Sequence, residues 1–132
     1  MTEASEPPTP YARIGGEAGV RALVDRFYDL MDSLPEASHV RAMHARSLKV
    51  SRDKLFWFLS GWLGGPQLYV ERFGHPRLRR RHFPFAIDTA AAGEWMLCMR
   101  RALSETVGDE ALRAFLDERL EQLALHMRNQ PE

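Results

Sequence analysis

The chain has 132 residues, and its 18 lysines and arginines balance 18 aspartates and glutamates to a formal net charge of zero. That length supports one domain and leaves no room for a second core, and 45% hydrophobic with 27% charged residues is the balance of an ordinary water-soluble globule. Neutrality excludes a nucleic-acid partner, which demands a basic excess to displace counterions from phosphates. A sole cysteine, Cys98, excludes an internal disulfide and a thiolate zinc cluster.

The first ten residues, acidic and holding three prolines, read as a disordered arm, with one domain over residues 11–132. They lack the basic start and apolar run of a signal peptide, and no apolar stretch reaches the roughly 18–20 residues that cross a bilayer. A cytoplasmic location and no membrane partner are therefore expected. Beyond Gly15-Gly16, the residues Val20, Leu23, Val24, Phe27, Tyr28 and Met31 recur at spacings of three and four, which predicts an amphipathic helix ending at Ser33-Leu34-Pro35. A short helical piece around Val40 to Met43 follows, with His44 at its end. Ser51 reads as the N-cap of a further helix whose stripe is Leu55, Phe58, Leu59 and Trp62, stopped by Gly64-Gly65-Pro66.

From Gln67 to Arg81, Gly74 and Pro76 break the chain into one or two short helices, and Pro84 ends the last of them near His82. Two long antiparallel helices complete the chain. One starts at Asp88 or Thr89 and carries Trp95, Cys98, Met99, Ala102 and Leu103 on one face. The other starts at Asp109 and carries Leu112, Phe115, Leu116, Leu120, Leu123, Ala124 and Met127. No segment alternates with period two, so the fold is all-α. Cys98 falls on the core face, where an inert packing thiol is expected.

The chemistry-bearing residues are sparse. None of His39, His44, His75, His82 and His126 forms a His-x-x-x-His zinc pair, and the glycine-rich phosphate, dinucleotide and nucleophile-elbow motifs are absent. A haem site asks for less: one axial histidine, an apolar slot and cations near two propionates. His82 stands between Leu78 and Phe83 to Phe85, beside Arg79 and Arg81. By spacing alone it reads first as a half-buried histidine closing a helix.

Three blocks change that reading. Trp62-Leu63-Gly64-Gly65-Pro66-Gln67-Leu68-Tyr69, then Gly74-His75-Pro76-Arg77-Leu78-Arg79-Arg80-Arg81-His82-Phe83-Pro84-Phe85, then Trp95-Met96-Leu97-Cys98-Met99 together resemble group II truncated haemoglobins. Arg26-Phe27-Tyr28 and the Gly15-Gly16 pair also fit, so the likeness runs from Tyr11 to the C-terminal helix. It implies a two-over-two helical sandwich around haem b, with His82 as the proximal iron ligand. The second imidazole nitrogen of His82 would then donate to a backbone carbonyl. It also implies that Leu55, Phe58, Leu59, Leu78 and Phe85 supply the apolar slot. Arg81, then Lys54 and Tyr69, would hold the propionates, leaving Arg77 and Arg80 solvated.

Above the iron the resemblance places Tyr28, His44 and Trp95. Their bland alternatives are a core tyrosine, a solvated turn histidine and a packing indole. Ser51 falls where many globins carry a distal histidine, and its hydroxyl either borders an opening to the haem or only caps the helix. His44 is a departure, since many relatives carry tyrosine or phenylalanine there.

A diatomic ligand on ferrous iron draws electron density from the metal. Each good donor aimed at that charge stabilises it by about 1.5–3 kcal/mol, against about 1.4 kcal/mol per factor of ten. Such retention is excessive for bulk oxygen transport. The expected function is reversible binding of O2, NO or CO for ligand retention or redox handling. The alternatives are a nitric oxide dioxygenase or peroxidase-like enzyme served by a separate reductase, and a haem-based sensor module. A monomer or homodimer is expected.

Overall fold

The computed structural model describes residues 8–131, and the described residues hold eight α-helices and no strand. The expected N-terminal arm lies largely outside them, but its last residues are ordered into the fold. Thr9 accepts a hydrogen bond on its hydroxyl from the Ala12 amide at 3.1 Å, and Pro10 opens helix α1, Pro10–Ile14. Proline suits a first helical turn, whose amides lack intrahelical partners in any case. Helix α1 thus starts within the last residues of the stretch read as an arm. Composition had suggested disorder, yet the Thr-Pro pair is a helix start.

Helix α2 spans Gly16–Ser33 and buries Val20, Leu23, Val24, Phe27, Tyr28, Leu30 and Met31, the spacing pattern read from the sequence. It begins one close step from α1. A methyl group on Gly19 would overlap the Ile14 carbonyl, so only glycine permits this approach. A single 3₁₀ turn, Pro35–Ala37, leads into α3, Ser38–Ala42. Helix α4 spans Lys49–Trp62. Its cap position is Leu48, so the expectation of Ser51 as N-cap is corrected. Ser47 receives the Lys49 amide on its hydroxyl at 3.3 Å, and Ser51 falls inside the first helical turn.

Two short helices follow, α5 at Leu68–Phe73 and α6 at Leu78–Arg81, separated by Gly74 and Pro76 as expected. The long pair is α7, Thr89–Thr106, and α8, Glu110–His126. Asp88 receives the Ala91 amide at 2.8 Å and Asp109 the Leu112 amide at 3.0 Å, each satisfying an orphan donor of the first turn.

Helix α2 packs on α4, α8 packs on α7, and the two pairs meet through α2 and α7, the two-over-two arrangement expected. The core between them is continuous, and each fully buried Leu or Phe adds about 1.5–3 kcal/mol. Cys98 is buried in it as expected, its thiol pushed up to about 11 first by burial and then by Glu94. No helix is long and apolar enough to cross a membrane among the described residues.

Candidate functional site: a cavity between His82 and Tyr28

The helix pairs do not close completely. Between α2, α4, α7, α8 and the short α6 lies a cavity of about 570 Å³, within the range of small-molecule and cofactor sites. Its wall holds Tyr28, His44, Ser51, Lys54, Leu55, Phe58, Tyr69, Leu78, Arg81, His82, Phe85 and Trp95. Leu59, expected in the apolar slot, is buried in the core one turn beyond Leu55 and is not part of this wall. An apolar stripe on a helix does not reveal which of its residues faces a void.

His82 closes α6, where Pro84 was expected to end the helix. Its Nδ1 lies 2.6 Å from the Leu78 carbonyl oxygen. A carbonyl can only accept, so Nδ1 carries the proton, and in the neutral ring Nε2 keeps its lone pair. That is the tautomer an iron ligand requires. Asn129 fixes the segment that follows. Its side-chain amide donates to the carbonyls of His82 at 3.2 Å and Phe85 at 2.9 Å, and its oxygen accepts the Ile87 amide at 2.9 Å. Asn129 escaped the sequence reading because a polar residue beyond a helix end carries no motif.

Tyr28 comes from the buried face of α2 and is 5% exposed. Burial drives its phenol well above its ordinary pKa, only partly offset by the nearby Arg52 guanidinium, so the hydroxyl keeps its proton. Arg52 is itself held by Asp25 and Asp29, at 3.3 and 2.8 Å. Trp95 comes from α7, with its ring 5.0 Å from that of Phe27 between centroids. Below it on the same helix, Ala91 and Ala92 keep the cavity wall thin, a run of small residues whose role could have been read from the sequence.

His44 lies edge to face with Tyr28, ring centroids 5.9 Å apart. Its Nδ1 donates to the Val40 carbonyl at 2.8 Å. Burial lowers its pKa first of all, with Arg41 and His82 adding to the effect against the opposing Val40 hydrogen bond. A neutral His44 bonded in this way offers a lone pair at Nε2 and no second proton. Donation from His44 to a ligand would require the protonated ring.

At the opposite edge, Lys54 Nζ lies 5.7 Å from the centre of the Phe73 ring and the Arg81 guanidinium 5.7 Å from that of Tyr69. Arg81 also donates from Nε to the Pro76 carbonyl at 2.7 Å, which aims its fork. His75 accepts the Arg77 amide on Nδ1 at 3.1 Å, consistent with a turn role. The residues present fit a planar macrocycle with two carboxylates: an apolar slot, the His82 imidazole with its Nε2 lone pair free on one side and His44 beside Tyr28 on the other, and two cations with a phenol at the rim. No group of three or more His, Cys, Asp or Glu side chains that could hold a metal ion exists among the described residues.

Comparisons with known proteins agree. The bacterial-like globin family model matches residues 9–129. The chain is similar to the group 2 truncated haemoglobin YjbI of Bacillus subtilis, 41% identical over 93% of this chain and 90% of that protein. Among solved structures it resembles the group II 2-on-2 haemoglobin of Agrobacterium tumefaciens, at 52% identity and TM-score 0.93 over 97% of this chain and 99% of that one. It also resembles the cold-adapted truncated haemoglobin of Pseudoalteromonas haloplanktis, at 47% identity and TM-score 0.93, with 94% and 100% covered. Fold, sequence and cavity together place this chain in the bacterial-like globin family, among the group II truncated haemoglobins.

Proposed function

We propose that this protein binds haem b through His82 and holds O2, NO or CO above it, for retention or redox handling rather than bulk transport. Binding of haem and of small ligands follows from the globin family; the residue roles and the purpose rest on the cavity. Bound ferrous haem supplies a metal that passes electron density to a diatomic ligand. The protein supplies the rest. His82 Nε2 would offer its lone pair to the iron, and the Nδ1 bond to Leu78 holds the ring in register. Arg81, Lys54 and Tyr69, which line the cavity, would hold the propionates at its rim. The Tyr28 hydroxyl and the Trp95 indole N–H are the donors facing the ligand.

The observation that carries this reading is the gathering, on the wall of one largely apolar cavity, of a histidine whose Nδ1 proton is committed to Leu78 and of two donor side chains, Tyr28 and Trp95. Optical spectra of the purified protein in its ferric, ferrous, oxy and carbonmonoxy states test it. A Soret band that shifts with each ligand supports the reading, and colourless protein that takes up no added haemin overturns it. The reductase that turnover as a dioxygenase or peroxidase requires is a second reading, favoured by the charge distribution considered next.

A further inference from the structure

The charge of this neutral chain is not spread evenly. Between Gln67 and Ile87 stand Arg72, Arg77, Arg79, Arg80 and Arg81 against the single carboxylate Glu71. All five arginines are exposed, and among the described residues none takes part in an ion pair, whereas six arginines elsewhere, Arg13, Arg21, Arg26, Arg41, Arg52 and Arg100, each meet a carboxylate within 3.3 Å. Arginines that serve only solubility would be expected to mix with acids. These are collected on α5, α6 and the turn joining them, the elements beside the cavity rim.

The same face carries an aromatic series. Tyr69 lines the cavity, and its ring centre lies 4.8 Å from that of Phe73, which is 42% exposed. Phe73 in turn lies 5.9 Å from Trp57, with the Arg72 guanidinium 4.4 Å above the indole. Packed rings thus lead from the cavity to a surface patch edged by exposed arginines. Electron tunnelling weakens steeply across gaps, so a donor docked on this patch meets a packed aromatic route to the site. Opposite charge is what steers such a donor and orients it.

We infer that the α5–α6 face is the docking surface for an acidic one-electron carrier protein. The inference rests on the haem reading above and names the partner of that site. The carrier gives up one electron, which takes ferric iron to ferrous; no bond is made or broken and no proton is needed. Arg77 and Arg80 steer the carrier, and the exposed edge of Phe73 receives it. Weak, salt-sensitive contact is the usual mark of electron-transfer encounters.

The experiment uses the pigmented holoprotein, so that failure of the haem reading shows first as missing colour. A plant-type [2Fe–2S] ferredoxin is titrated into it by calorimetry at about 0.02 M and about 0.2 M salt, where screening lengths differ roughly threefold. The same titration is run on Arg77→Glu/Arg80→Glu and on Arg101→Glu/Arg119→Glu, an equal charge change on exposed parts of α7 and α8. Circular dichroism and the Soret band report folding of each. Binding that weakens about tenfold or more at the higher salt, is lost in the first variant and survives in the second supports the inference. Stopped-flow reduction of ferric protein should slow by the same factor in the first variant. Coloured, folded protein that ignores ferredoxin, or binds it equally in both variants, overturns the inference. So does equal or tighter binding to duplex DNA or phosphatidylserine vesicles.

Discussion

The rings of Tyr28 and His44 meet edge to face, with centroids 5.9 Å apart and planes at 76°. The two side chains are chemically unequal: the phenol keeps its proton, whereas His44 has committed its Nδ1 proton to Val40. In the proposed function, donation to a charged ligand therefore falls to Tyr28 and, from α7, to Trp95. Removing either donor should raise the oxygen dissociation rate about tenfold, the equivalent of about 1.4 kcal/mol. Tyr28→Phe and Trp95→Phe, measured by stopped-flow displacement of oxygen with carbon monoxide, check this. Wild-type rates in both would remove the donors from the account.

His44 also makes stability depend on pH. Its folded-state pKa lies below the ordinary 6.5 because burial disfavours the charged ring. As pH falls from neutrality through 6.5, the unfolded chain takes up a proton that the folded chain refuses, so stability declines until the lowered folded pKa is passed. In His44→Gln that portion of the acid sensitivity should vanish. Urea unfolding of both proteins on either side of the window checks it, and identical pH profiles would contradict it.

Asn129 reaches back from beyond α8 to hold the segment carrying His82. Asn129→Ala removes two donated bonds and strips the Ile87 amide of its side-chain acceptor. About 1–3 kcal/mol of stability should be lost, together with a faster transfer of haem to an excess of apomyoglobin. The transfer rate is the telling readout, since a loss of stability alone would not single out the proximal segment.

Two glycines in helices should respond in opposite senses. Gly93 lies inside α7, and a methyl there meets nothing within 4 Å. Gly93→Ala should stabilise by about 0.5–1 kcal/mol through backbone entropy. Gly19→Ala should destabilise, because the added carbon would overlap the Ile14 carbonyl. Thermal unfolding of the two variants measures both.

Much of this architecture was legible beforehand. The long helices announce themselves by apolar spacing, and Asp88 and Asp109 cap α7 and α8 where acidic residues precede the apolar stripes. The cofactor site was legible only through resemblance, since His82 by its spacing is an unremarkable helix-end histidine. Leu59 and Ser51 show where reading by pattern stops. Helical periodicity tells buried from exposed and cannot tell core from cavity wall, and a serine before an apolar stripe does not fix the helix start when the chain turns earlier, at Ser47 and Leu48. His44 shows a subtler limit, because which proton it can offer depends on a carbonyl one turn away that no sequence pattern encodes.

The most direct test replaces the imidazole of His82. In His82→Ala the ferrous and carbonmonoxy spectra should lose their histidine-ligated form or the protein should lose its haem, and added imidazole should restore the wild-type spectra. A variant that keeps its pigment with wild-type spectra in every state would show that another group holds the iron.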